Sequence, residues 1–142
     1  YNLIAKSTEN QIWHRHILDS AQLVKFIDFK DQYEIVSFFK NSQILVLPSN
    51  LGDTHGNIAA EAIQFGCALI LSNMVGLSPE CEKNKIGLVF DINNKEDLTK
   101  KLELITNNKN LLDEFRSNAL IYGSTKKPAH AANLITEILK KK

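Results

Sequence analysis

Short apolar runs alternate along the chain with stretches in which apolar residues recur every three or four positions. Asn2 to Ala5 predicts a short strand, and Glu9 to Leu18 predicts a helix with Ile12, Trp13 and Ile17 at spacings that share a face. Val24 to Phe29 is β-branched and aromatic enough for a second strand. Asp31 to Asn41 then sets Ile35, Phe38 and Phe39 on one side of a helix. Gln43 to Leu47 (QILVL) is an apolar run closed by Pro48, which fits a central strand buried on both faces. A polar loop through Asp53 follows, and a helix runs from Asn57 to Phe65 with Gly66 where a C-cap favours a left-handed residue. Ala68 to Ser72 predicts a further buried strand, Asn73 to Lys85 a loop with a short helix around Pro79 to Glu82, and Gly87 to Asp91 another strand. Asn94 stands as an N-cap to a helix with Leu98, Leu102 and Ile105 on its buried face. Helices over Leu111 to Tyr122 and Ala129 to Lys140 close the chain, separated by Gly123 and Pro128.

Strands alternating with helices point to an α/β fold, a Rossmann-like doubly wound parallel sheet with C-terminal helices. The 142 residues suit a single domain, 1–142, and are too few for a two-domain enzyme with a cleft between its halves. No internal repeat or low-complexity linker interrupts the pattern. The sequence opens on Tyr1 rather than Met, leading straight into a strand pattern, so a fragment of a longer protein is expected.

Composition narrows the classes of function. Apolar residues make up 44% and charged ones 23%, as in ordinary globular proteins, and the net charge of +1 argues against broad attraction to nucleic acid. Cys67 and Cys81 form neither a disulfide framework nor a metal-ligand pattern, and no signal peptide opens the chain, so a reducing cytoplasmic setting is expected. The basic run Lys140 to Lys142 is read as a solvated helix end, with weak peripheral contact to an anionic membrane face as its only other use.

In open parallel sheets ligands bind outside the carboxyl ends of the strands, and the loop after QILVLPSN lies there. It carries Asp53, Thr54 and His55, and the next helix carries Glu61. Ionised carboxylates accept hydrogen bonds, so two of them could hold sugar hydroxyls. The ordinary alternative is that Asp53 turns the loop and Glu61 is a solvated helix residue; spacing alone favours it. Gly56, Asn57 and Ile58 would offer backbone N–H groups to a phosphate at the helix start, although no Walker or dinucleotide fingerprint is present. His14, His16 and His130 have no metal-ligand spacing and read as surface residues. Ser49 lacks a nucleophile elbow, which makes a hydrolase reading weak, and Cys67 enters a buried strand as a small apolar residue.

The order of segments adds what single residues do not. VKFIDF, a helix ending in FFKNSQILVLPSN, then GDTHGNIAAEAIQFGCALILSNMVGLSPECEKNKIGLVFD and a helix beginning KEDL resemble the C-terminal, donor-binding half of family-4 retaining glycosyltransferases of the GT-B fold, over about residues 3 to 106. Asp53 and Glu61 fall on the two positions of that family's acidic pair, which is separated by seven residues. The resemblance implies that Asp53, with Thr54, His55 and Gly56, contacts the transferred sugar and that Glu61 holds the ribose hydroxyls. It further implies that the N–H groups of Gly56, Asn57 and Ile58 lie near the diphosphate and that Asp28 and Phe29 border the base. Gly76 and Glu80 match the family's Gly-Gly-x-x-Glu neighbourhood, where Glu80 would stabilise a loop. Four positions depart from the pattern: Asp53 for the commoner Glu, His55 for Phe, Asp28 for Gly and Ala68 for Pro.

The implied reaction moves a sugar from a nucleotide-diphosphate donor to an acceptor hydroxyl with retention, in surface polysaccharide or glycoconjugate synthesis. No metal, no resident cofactor and no catalytic base among these residues are implied; positive groups and helix dipoles stabilise the departing diphosphate. The family's first strand, with its Arg and Lys, and the N-terminal half that binds the acceptor would precede Tyr1. The chain alone is therefore expected to bind nucleotide weakly and not to transfer. Two alternatives stay open: one half of a GT-B nucleotide-sugar epimerase, and a non-enzymatic α/β interaction module.

Overall fold

The computed structural model describes residues 3–6, 24–27, 32–51 and 56–126. The helix expected over Glu9 to Leu18, the last helix Ala129 to Lys140, the tail Lys140 to Lys142 and His14, His16 and His130 lie outside the described residues. The contacts gather the chain into two units, Tyr1–Ser42 and Gln43–Lys142.

In the first unit, β1 (Leu3–Lys6) pairs in parallel with β2 (Val24–Ile27), Leu3 opposite Val24 and Lys6 opposite Ile27. A helix, α1 (Gln32–Asn41), follows, with Glu34 in its first turn and Lys40 in its last, each at the end of the helix dipole that favours its charge.

The second unit holds a three-stranded parallel sheet in the order β3 (Ile44–Leu47), β4 (Ala68–Ser72), β5 (Gly87–Phe90). Register runs Ile44 opposite Ala68 and Leu47 opposite Leu71, then Leu69 opposite Gly87 and Ser72 opposite Phe90. Between the strands come α2 (Asn57–Ala62), continued by one 3-10 turn (Ile63–Phe65), and α3 (Ser78–Lys83). After β5 come α4 (Lys95–Thr106) and α5 (Lys109–Thr125). All five described strands pair in parallel, and from β2 onward each is followed by a helix, which is a Rossmann-like α/β arrangement.

The middle of the sheet is β4. Its five residues are all buried, and each large apolar side chain there contributes roughly 2 kcal/mol of burial. By contrast, β3, the strand expected to be central and covered on both faces, is only partly buried at all four positions. It lies at the edge of the three-stranded sheet, paired only with β4 among the described residues. An apolar run reports affinity for a core, but not which strand takes the centre. One face of the sheet carries Ala68, Ile70 and Phe90 into a cluster with Ile105, Leu112 and Phe115. Leu98 and Leu102 of α4 pack against that cluster, as their helical spacing predicts.

Helix ends follow the expected chemistry. Asn94 caps α4, its side-chain oxygen accepting from the Glu96 N–H at 3.1 Å, and Asn108 caps α5 by accepting from the Leu111 N–H at 3.0 Å. Gly66 takes the left-handed conformation, φ 75°, at the end of the 3-10 turn. One expectation fails: Gly123 does not end the last described helix, because α5 continues through it to Thr125. Gly123 is buried, and a Cβ there would sit 3.2 Å from both the Gln64 Cα and the Ile63 oxygen, so its missing side chain lets α5 approach the 3-10 turn.

Candidate functional site

Parallel pairing sends the carboxyl ends of β3, β4 and β5 to the same edge of the sheet, where they lead into Pro48–Ser49, Asn73 and Asp91. Pro48 has no N–H to continue the ladder, and β3 ends immediately before it. The neighbouring strand supplies a substitute. The Ser72 hydroxyl, fully buried at the end of β4, donates to the Ser49 carbonyl at 2.5 Å. The Ser72 carbonyl in turn accepts from the Ser78 hydroxyl at 2.7 Å and from the Val75 N–H at 3.1 Å.

The same rim is braced toward β5. Asn73 accepts from the Ile92 N–H at 3.2 Å and donates through its side-chain amide to Asp91 at 3.3 Å, while the Asp91 N–H donates to the Asp97 carboxylate at 2.9 Å. The ends of all three strands are thus tied to one another by hydrogen bonds.

Gly56 opens α2 in the left-handed conformation, φ 65° and ψ 45°, and its carbonyl accepts from the Ala59 and Ala60 N–H groups, both at 2.9 Å. A Cβ on Gly56 would stand 2.8 Å from the Val75 Cγ1, so both the backbone conformation and the space demand glycine. Asn57 is exposed, Ile58 partly buried, and Glu61, the fifth residue of α2, partly buried. Of the candidates, the structure thus brings Gly56, Asn57, Ile58 and Glu61 together on one short helix. Asp53, Thr54 and His55, and Asp28 and Phe29, lie outside the described residues.

Gly76 and Glu80 are both exposed, the first in the β4–α3 connection and the second in the first turn of α3. Cys67 and Cys81 are buried, and neither is in a disulfide. Burial pushes both thiols up, the Cys67 effect being partly offset by the Arg116 guanidinium and that on Cys81 reaching about 12, so both remain protonated and unreactive. A concavity of about 320 Å³ on the β5 side, lined by Lys85, Leu88, Lys101 and Glu114 among others, includes none of the candidate residues. Among the described residues no three His, Cys, Asp or Glu side chains are grouped to hold a metal, and no helix is long and apolar enough to cross a membrane.

The residues missed from sequence are Ser72, Asn73 and Ser78, which hold the strand ends in place. A serine ending a wholly buried strand was the available signal, because a buried hydroxyl needs a partner.

Comparison with known proteins agrees with this arrangement. The model of the family described as glycosyl transferases group 1 matches residues 5–121. Among solved structures, WaaG, a glycosyltransferase involved in lipopolysaccharide biosynthesis, superposes with a TM-score of 0.74 at 18% identity, over 95% of this chain and 37% of that one. The catalytic domain of the cholesterol-α-glucosyltransferase from Helicobacter pylori gives 0.70 at 18% identity, over 89% of this chain and 79% of that domain. At such identity the likeness is one of fold. A curated protein, the ribosomal RNA small subunit methyltransferase G of Allorhizobium ampelinum, is 71% identical over 24 residues, only 17% of this chain and 11% of that protein, too short a stretch to define a domain. The chain thus spans little more than a third of WaaG and about a tenth of the methyltransferase.

Proposed function

The chain belongs to the glycosyl transferases group 1 family, and from that premise we propose that it is the donor-binding part of a glycosyltransferase. The donor is a nucleotide-diphosphate sugar, and transfer to an acceptor hydroxyl proceeds with retention. One observation carries the reading: Gly56 to Glu61 sit on the helix that follows the carboxyl end of β3, within the stretch the family matches. Ligands of open parallel sheets collect at that edge.

In this reading the Glu61 carboxylate accepts from the vicinal ribose hydroxyls, as an acceptor-only group suits a pair of donors. Backbone N–H groups of Gly56, Asn57 and Ile58 face the diphosphate. Asp53, Thr54 and His55 contact the donor sugar, and Asp28 and Phe29 border the base. Stabilisation of charge on the departing diphosphate is electrostatic, and neither a metal nor a resident cofactor takes part. The acceptor is held by another domain of the complete protein, which works in the cytoplasm, with peripheral contact at the inner membrane face, in synthesis of a surface polysaccharide or glycoconjugate.

Titration of the chain with UDP, GDP and ADP, repeated with Glu61→Ala, tests the site. One nucleotide is expected to bind, and loss of charged hydrogen bonds to the ribose is expected to weaken it by about 10-fold or more. Binding indifferent to Glu61→Ala would overturn the assignment. If no nucleotide binds, the interaction-module alternative takes its place. Product analysis with a labelled donor on the complete protein separates transfer from epimerisation, since a free epimerised sugar excludes transfer.

A further inference from the structure

The connection from Asn50 to His55 carries the proposed sugar contacts, and both residues that bound it are gripped by the β4–α3 segment. At its start, Ser49 is held through its carbonyl by the Ser72 hydroxyl at 2.5 Å. At its end, Gly56 lies against Val75, which is itself 2% exposed. Val75 is fixed to the same serine, because its N–H donates to the Ser72 carbonyl at 3.1 Å, and the Ser78 hydroxyl donates to that carbonyl at 2.7 Å. Ser72 therefore serves as a junction. Its hydroxyl ties one end of the connection, and its carbonyl ties the turn that packs against the other.

A buried hydroxyl at a strand end is costly unless it has work that an apolar residue could not do. The other four residues of β4 are Ala68, Leu69, Ile70 and Leu71, all apolar and fully buried, so only Ser72 departs from the strand's chemistry. It does so beside the point where Pro48 leaves β3 without a backbone donor.

We propose that Ser72 is a positioning residue of the donor site: its buried hydroxyl fixes Ser49 at the end of β3, and its carbonyl fixes the Val75 turn beside Gly56, where the helix that carries Glu61 begins. The inference rests on the donor-site reading above. Ser72 touches no reacting atom and acts through the loop it holds.

The test compares the chain with Ser72→Ala, which deletes the hydroxyl, and Ser72→Thr, which retains it. Affinity is measured for whichever of UDP, GDP and ADP the unaltered chain binds, and amide hydrogen exchange is followed residue by residue. Ser72→Ala is expected to weaken nucleotide binding about tenfold and to speed exchange at Asn50, Leu51 and Asn57, while Leu69 to Leu71 stay protected. Ser72→Thr is expected to bind within a few-fold of the unaltered chain. A purely structural role would instead speed exchange throughout β4 and its neighbours. Unchanged affinity in Ser72→Ala, or equal impairment of the Ala and Thr forms, overturns the inference while leaving the donor site standing. Failure of the unaltered chain to bind any of the three overturns both. Should Ser72→Ala not fold, Ser72→Cys keeps the volume, replaces the hydroxyl with a weak donor and answers the same question.

Discussion

The Cys81 side chain is fully buried in α3, and its carbonyl accepts from Ile86 N–H at 3.0 Å on the way into β5. Desolvation raises its thiol from 9.0 to about 12, with Glu82 adding to the rise. Between those values the unfolded chain releases the proton and the folded chain keeps it. The unfolded state then binds fewer protons, so this group's contribution to stability is complete below about pH 9 and is lost as pH rises towards 12. Cys81→Ala removes that dependence. The stability gap between the two proteins, from urea unfolding at pH 8, 9 and 10, is therefore expected to narrow by about 1.4 kcal/mol per unit above pH 9. Parallel curves would show the thiol to be solvated. The burial of Cys67 at the entry to a strand was readable from its apolar neighbours. The role of Ser72 was not, because its partner lies 23 residues away and only strand pairing brings them together.

At the scale of elements, α5 shows packing overriding a local rule. Glycine inside a helix costs about 1 kcal/mol relative to alanine, so propensity alone predicts that Gly123→Ala stabilises the chain. The Cβ would press on backbone atoms of Gln64 and Ile63 at 3.2 Å, and backbone in a turn yields less readily than a side chain. Arg116 tightens the same contact by donating from Nε to the Gly66 carbonyl at 3.0 Å. Overpacking typically costs about 1–3 kcal/mol, so Gly123→Ala is expected to lower the unfolding free energy by about 1 kcal/mol net, measured by denaturant titration. A stabilised variant would mean that α5 moves away freely. Elements whose signals are local were legible within a residue or two: β4 over Ala68–Ser72, the Asn94 cap of α4 and α3 beside Pro79. The end of α5 was misplaced because glycine marks both helix ends and close helix approaches.

For the molecule as a whole, the chain spans 37% of WaaG, and the donor-binding reading separates binding from transfer. A nucleotide supplied at a hundred times its Kd is expected to stabilise the chain by about 2.7 kcal/mol, seen as a raised thermal midpoint. The same chain, given a labelled nucleotide sugar and acceptors, is expected to yield no transferred product; turnover by these 142 residues alone would contradict the division of labour. The sequence by itself determined the alternation of strands and helices, the caps at Asn94 and Gly66, and the ordered segments that mark a glycosyltransferase family. Each of these is written in periodicity, in turn residues or in linear order, which need no distant partner. Tertiary structure alone decided that β4 rather than β3 takes the centre of the three-stranded sheet, that Gly123 serves packing rather than termination, and that Ser72 holds Ser49. Those outcomes depend on which atoms approach through space, a property of the paired strands and their covering helices that no local stretch contains.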